Sequence, residues 1–319
     1  MANPGFTITN SFLDEFDSRF HPFLRQEGSK LINYVDPVSV NGATHSIRQS
    51  TVGKAHIITS AGSITDYTNI EHDRRELRPI PFACPIMLDD IDLVQQGTPD
   101  VAMLAQQASY SCGEIIDEFI IKGLGGMSRS LALGDISFPD SQTIRWNENK
   151  FAENSTNTLN GQINMNGLSA SKVAQAIVML QEEYNSGTFV CVASPYALQT
   201  FRSDSRVSNM DFNMQPAFAT GHATPFAGVH HFVASSKVDT GTSTVSASDG
   251  TTAVEYAYIY NLNQVKLGIS QPLALKYGRN PERYLNNTLI YWGMYHCTRM
   301  FEESVVRIEV KRDNTTPAS

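Results

Sequence analysis

The stretch from Thr98 to Gly123 constrains this chain more than any other. Thr98 is an N-cap candidate, Pro99 holds the favoured first helical position, and Asp100 suits the positive end of the helix dipole. Val101, Leu104, Ala105, Ala108, Cys112, Ile115, Ile116 and Phe119 then recur at three- and four-residue steps, and Gly123 supplies a stop. This spacing predicts a helix over 99–122, roughly 35 Å long at ~1.5 Å per residue. The apolar stripe is one-sided, so the helix lies along a layer and is not the centre of a bundle.

Strands surround it. His45-Ser46-Ile47-Arg48 and Ala55-His56-Ile57-Ile58-Thr59 read as strand, punctuated by Gly53, Gly62 and Asn69. Arg78 to Pro85 is extended, because each X-Pro step disfavours the helical region. Together they predict a long, polar, two-stranded excursion, which is marginal in water on its own and needs something else to order it. Upstream, Phe12, Phe16, Phe20 and Leu24 recur every fourth residue, on one face of a helical arm that packs on the body or on a neighbour. Downstream, Ser169 caps a second helix with Val173, Ile177, Leu180 and Tyr184 on its apolar face. Thr188 to Ala193 is a buried strand, and Ser194-Pro195 starts a short helix through Phe201. Helix, strand and helix with tight junctions mark an α/β layer. Further strands are expected at 228–234, 253–260 and near Val305 to Val310, with Asp239 to Thr252 a solvated loop. The fold class is α+β.

Composition then narrows the function. The chain has 319 residues, 41% of them hydrophobic, so it buries a sizeable core. Only 18% are charged, against ~25% in a usual soluble domain. A free monomer keeps its surface charged, so much of this surface is expected to meet other protein. The net charge of -8 argues against a dedicated nucleic-acid binder. No stretch is long and apolar enough for a membrane helix, and the first residues lack the charged and apolar regions of a signal peptide. The four cysteines (Cys84, Cys112, Cys191, Cys297) are far apart in sequence and are expected as buried reduced thiols.

Motifs for chemistry are sparse. Ser169-Ala170-Ser171-Lys172 matches the S-x-x-K nucleophile pattern, in which Lys172 would take the proton of Ser169. The partner motifs are absent, and a capping serine followed by a lysine explains the same residues. His230 and His231 are adjacent, so on a strand they point to opposite faces and cannot chelate together. Asp89-Asp90-Ile91-Asp92 could hold a hard cation but lacks the glycine and distal glutamate of a calcium loop. Gly123 to Ser128 follows a helix and lacks the lysine of a phosphate loop. No catalytic residue, cofactor or metal site is therefore expected. His72-Asp73-Arg74-Arg75 concentrates positive charge at the base of the excursion; it suits carboxylates of another subunit, or is a solvated turn.

The ordered series resembles the major capsid proteins of tailed bacteriophages, with the Hong Kong 97-type fold. It comprises the polar arm, the hairpin with Lys54 and His72-Asp73-Arg74-Arg75, Leu88 to Leu93, the helix ending Ile115 to Leu124, Gly167-Leu168-Ser169, Ala193-Ser194-Pro195, Ser208 to Phe212, Phe226-Ala227-Gly228, and Thr298-Arg299 with Glu302 and Glu303. The resemblance implies an N-terminal arm (1–39), an extension loop with adjoining strands (40–92), a peripheral domain (93–167) with spine helix 99–122, an axial domain (168–287), return strands of the peripheral domain (288–312) and a polar tail (313–319). It implies self-assembly as hexamers and pentamers into an icosahedral shell around double-stranded DNA, assembled in the host bacterial cytoplasm. No scaffolding segment is recognisable at the N-terminus, so a separate scaffolding protein is expected, with a portal and, in some capsids, a decoration protein. Inter-subunit contact candidates are Lys54, His56, Arg74, Arg75, Phe12, Phe16 and Phe20. Two other readings stand beside it: an encapsulin-like compartment shell, and a serine hydrolase using Ser169 and Lys172.

Overall fold

The computed structural model describes residues 19, 28–50, 57, 72–88, 101–147, 167–182, 187–204, 207, 225–243, 252–280 and 286–311. Phe12, Phe16, Phe20, Lys54, His56, Asp89 to Asp92 and Ser208 to Phe212 lie outside them.

In chain order the strands are β1 (Asp36–Ser39), β2 (His45–Ser50), β3 (His72–Leu77), β4 (Ile80–Leu88), β5 (Ser128–Ser130), β6 (Gly134–Ile136), β7 (Thr143–Ile144), β8 (Phe189–Ala193), β9 (Val229–Ala234), β10 (Thr240–Ser243), β11 (Thr252–Asn261), β12 (Val265–Asn280), β13 (Asn286–Arg299) and β14 (Val305–Lys311). The helices among the described residues are α1 (Val101–Gly125), α2 (Ala170–Glu182) and α3 (Pro195–Arg202).

α1 buries the predicted stripe. Ala105, Ala108, Cys112, Ile116 and Ile120 lie in one core with Leu267, Leu289, Tyr291 and Cys297 of a sheet ordered β1-β12-β13-β4. The helix passes the predicted stop at Gly123 and ends at Gly125. Close approach explains that glycine: a Cβ there would sit 2.6 Å from the Cys297 carbonyl oxygen. Near the middle of α1, Gly113 faces the Gly28 backbone so tightly that no side chain fits. One turn on, the buried Asp117 carboxylate accepts from Ser29 Oγ (2.6 Å) and from the backbone N–H groups of Lys30 (3.2 Å) and Leu31 (3.1 Å). Burial raises its pKa, and these donors oppose the rise. The chain that leaves the N-terminal region is thereby pinned across the spine helix before it enters β1.

The second sheet runs β7-β14-β11-β8-β9, with β10 on β11. Both of its faces are covered, which is why β8 reads as an unbroken apolar run. Val190, Val192, Tyr258 and Tyr260 face the α1 core. Phe189, Cys191, Ala257, Ile259, Val306 and Ile308 face a second core under α2 and α3. Ser194 caps α3 by accepting from Ala197 N (3.0 Å), as its sequence predicts.

One expectation changes and further features emerge. Part of the segment read as a solvated loop is strand: Thr240 to Ser243 pairs with Thr252 to Glu255. Val265 to Asn280 is a long strand that periodicity does not reveal, because register shifts between Ile269 and Ala274 break its alternation. β12 lies in the α1-side sheet, whereas β14 lies in the sheet under α2.

Candidate assembly interface

A third sheet runs β2-β3-β5-β6. β2 and β3 are antiparallel from His45↔Leu77 to Ser50↔His72, so the intervening chain leaves and returns at one end. Alternation along β3 turns Arg75 inward and Arg74 outward. The Arg75 guanidinium is 5% exposed. It donates to Gln49 Oε1 (3.2 Å), the Met300 carbonyl (3.0 Å) and Ser128 Oγ (2.8 Å), and pairs with Glu302 (3.1 Å). Glu302 also receives Arg299 Nε at 2.5 Å. Arg299 is fully buried and reaches the carbonyls of Leu124, Gly126 and Ile136 while lying over the Phe138 ring. Burial lowers its pKa and Glu302 opposes that, so the guanidinium stays charged. One carboxylate thus locks two arginines. They join β3, the end of α1 and the end of β13.

Arg75, an expected contact candidate, is buried within its own subunit. Its guanidinium is paired with groups of the same chain. Arg74 is exposed and remains available.

Beside Arg74, the β5–β6 turn presents two exposed apolar side chains: Leu131 is 59% and Leu133 76% exposed. The turn is held rigidly. Asp73 accepts from Ser130 Oγ (2.7 Å) and the Ala132 N–H (3.3 Å), and Leu131 N donates to the Arg74 carbonyl (2.9 Å). Partial burial works against the Asp73 carboxylate, but Ser130 and the backbone N–H groups outweigh it and hold the pKa low. Arg129 pairs with Glu76 (3.2 Å) and Asp135 (3.7 Å). An ordered, protruding apolar tip rimmed by both signs of charge has the character of a contact surface. Sequence reasoning missed it because Leu131 and Leu133 carry no helical or long strand period.

The S-x-x-K residues come together as a capped helix start. Ser169 Oγ is buried and accepts from the Lys172 backbone N–H (3.4 Å). Lys172 Nζ donates to the carbonyls of Trp146 (2.9 Å) and Gly167 (3.1 Å). Burial lowers its pKa to about 8, with Glu309 opposing, which still leaves it mainly protonated at neutral pH. The lysine ties the chain around Trp146 to the start of α2. His230 and His231 are separated as expected: His230 Nδ1 accepts from Phe189 N (3.3 Å), and His231 lies against Tyr34. Among the described residues no three His, Cys, Asp or Glu side chains group to hold a metal, and no helix is long and apolar enough to cross a membrane.

Among the described residues, three sheets pack with one long helix and two shorter ones. Solved structures carry the same fold. The capsid of cyanophage Pam1 matches with a TM-score of 0.64 at 10% identity, covering 90% of this chain and 93% of that one. The capsid of Ralstonia phage GP4 gives 0.63 at 11% identity, with 89% of each chain covered. A virus-like particle from Pyrococcus furiosus gives 0.55 at 10% identity, covering 93% of this chain and 99% of that one. No curated protein matches the sequence. A family model described as phage capsid protein matches residues 8–312, and the chain belongs to that family. It is a structural protein of the virion, the major capsid protein whose copies build the icosahedral shell. The encapsulin-like reading fits less well.

Proposed function

We propose that this subunit assembles as hexamers and pentamers, that the shell encloses double-stranded DNA, and that adjacent copies are joined through the extension hairpin and the β5–β6 tip. The observation that carries the contact assignment is the rigid root. The Arg75–Glu302–Arg299 lock fixes where the hairpin leaves the body, while Ile57 within it is 91% exposed. A hairpin so held needs a second surface to cover its apolar residues, and a neighbouring copy supplies it. Arg74 serves the same contact electrostatically, and Lys54, His56 and the Phe12, Phe16, Phe20 face of the arm belong to the same set. The net charge of -8 suits a container whose inner face does not grip the DNA it holds. Assembly takes place in the host bacterial cytoplasm with a separate scaffolding protein and a portal; a decoration protein is an optional addition.

Deletion of Gly53 to Asn69 tests this. The subunit should fold with its circular dichroism and melting unchanged and should yield no particles in negative-stain images. Undiminished particle yield would contradict the role given to the hairpin.

A further inference from the structure

The contact between α1 and β4 holds two thiols that lie far apart in the sequence. β4 is an edge strand, and Phe82, Cys84 and Ile86 alternate toward the α1 core. Phe82 meets Phe119 with ring centroids 5.9 Å apart. Two residues on along the strand and two turns back along the helix, Cys84 meets Cys112. Cys112 lies in the α1 core and Cys84 packs against it, close enough for each thiol to shift the other's titration. Both are free, Cys112 buried and Cys84 partly accessible.

The environments of the two sulfurs differ. Hydrogen bonding from Cys112 lowers the Cys84 pKa against its partial burial, and Ser111 adds to this, so Cys84 carries the thiolate. The same bond, with burial, holds the proton on Cys112. Cys191 and Cys297 have no such partner: burial pushes each thiol up to about 12, which leaves them inert.

We propose that Cys84 and Cys112 form a thiol-disulfide exchange site, with Cys84 attacking and Cys112 resolving, that closes to an intramolecular disulfide with a small-molecule disulfide as oxidant. The Cys84 thiolate attacks one sulfur of the small disulfide. A mixed disulfide forms, the small S–S bond breaks, and one small thiolate leaves and takes a proton from water. The negative charge beside Cys112 is then gone. Cys112 releases its proton to water and attacks the Cys84 sulfur, and the second small thiolate leaves and is protonated. Two protein thiols are oxidised to one disulfide while one small disulfide is reduced to two thiols. Closure brings the two sulfurs to the ~2.05 Å of an S–S bond. The product staples the spine helix to the edge of its sheet.

The test treats the assembled full-length protein with glutathione disulfide, quenches with acid and maps peptides by mass spectrometry. Each subunit should lose two hydrogen atoms, with the Cys84 and Cys112 peptides joined within one chain and released by a reducing agent. Cys112→Ala should stop at a glutathione adduct on Cys84, and Cys84→Ser should not react. A glutathione adduct that persists on Cys84 of the unsubstituted chain, or no reaction at Cys84, would overturn the proposal.

Discussion

Glu302 is the residue on which the hairpin root depends, because its single carboxylate neutralises two buried guanidinium groups. Removing one partner of a buried pair leaves charge without compensation and costs about 3–5 kcal/mol. Glu302→Gln keeps the shape and removes the charge, so the unassembled subunit should lose about 3 kcal/mol in urea denaturation; a loss below the error of the fit would show that Arg75 and Arg299 are satisfied by carbonyls alone. Lys172 gives a prediction of opposite character. Its folded pKa of about 8 lies below the ordinary value of 10.5. Between those two pH values the unfolded chain keeps a proton that the folded chain has released, so stability rises with pH across that window. The rise from this group is about 3 kcal/mol at most, and Lys172→Met should flatten it. An unchanged pH slope in the variant would refute the assignment. At this scale the sequence was partly legible. Ser169 and Ser194 announce caps by type and position. The Arg75 lock was not legible, because its members lie on separate strands and only the alternation of β3 decides which arginine turns inward.

Elements were legible where one period dominates. The stripe of α1 fixes the helix and its buried face, and the apolar run of β8 marks a strand covered on both sides. The ends of α1 were not legible, because a glycine that stops a helix and one that admits a crossing strand look alike in sequence. Gly123→Ala tests the close crossing. Helix propensity alone favours it by ~1 kcal/mol, but the added methyl meets Cys297 at 2.6 Å. We expect a net loss of about 1–3 kcal/mol from overpacking, read as a lower Tm of the subunit, whereas a higher Tm would mean that the crossing strand yields to the methyl. The β5–β6 turn is an element with an outward task. Leu131→Ser with Leu133→Ser should leave the Tm of the subunit unchanged and reduce particle yield. Equal yield at equal protein concentration would remove the tip from the contact. Arg74→Glu should weaken assembly most at low salt, since exposed charge contacts are screened within about 8–10 Å at moderate ionic strength; the same defect at every salt concentration would point to a packing role instead.

At the scale of the whole molecule, the low charged fraction and the resemblance in element order point to the same conclusion, a subunit whose surfaces are shared with copies of itself. The topology was beyond sequence reasoning. β1 pairs in parallel with β12 across most of the chain, and β14 returns to the sheet under α2 instead of the sheet beside α1. Nothing local encodes such pairings; they follow from which faces are left to bury once α1, β8 and β11 are in place. The central claim is that this chain builds a closed shell from its own copies. Expression with a scaffolding protein, followed by size-exclusion chromatography and electron microscopy with symmetry analysis, tests it most directly. The account predicts closed particles whose images reconstruct with icosahedral symmetry, with the hairpin of one subunit lying on the next. A monodisperse monomer that forms neither capsomers nor particles under those conditions would contradict it.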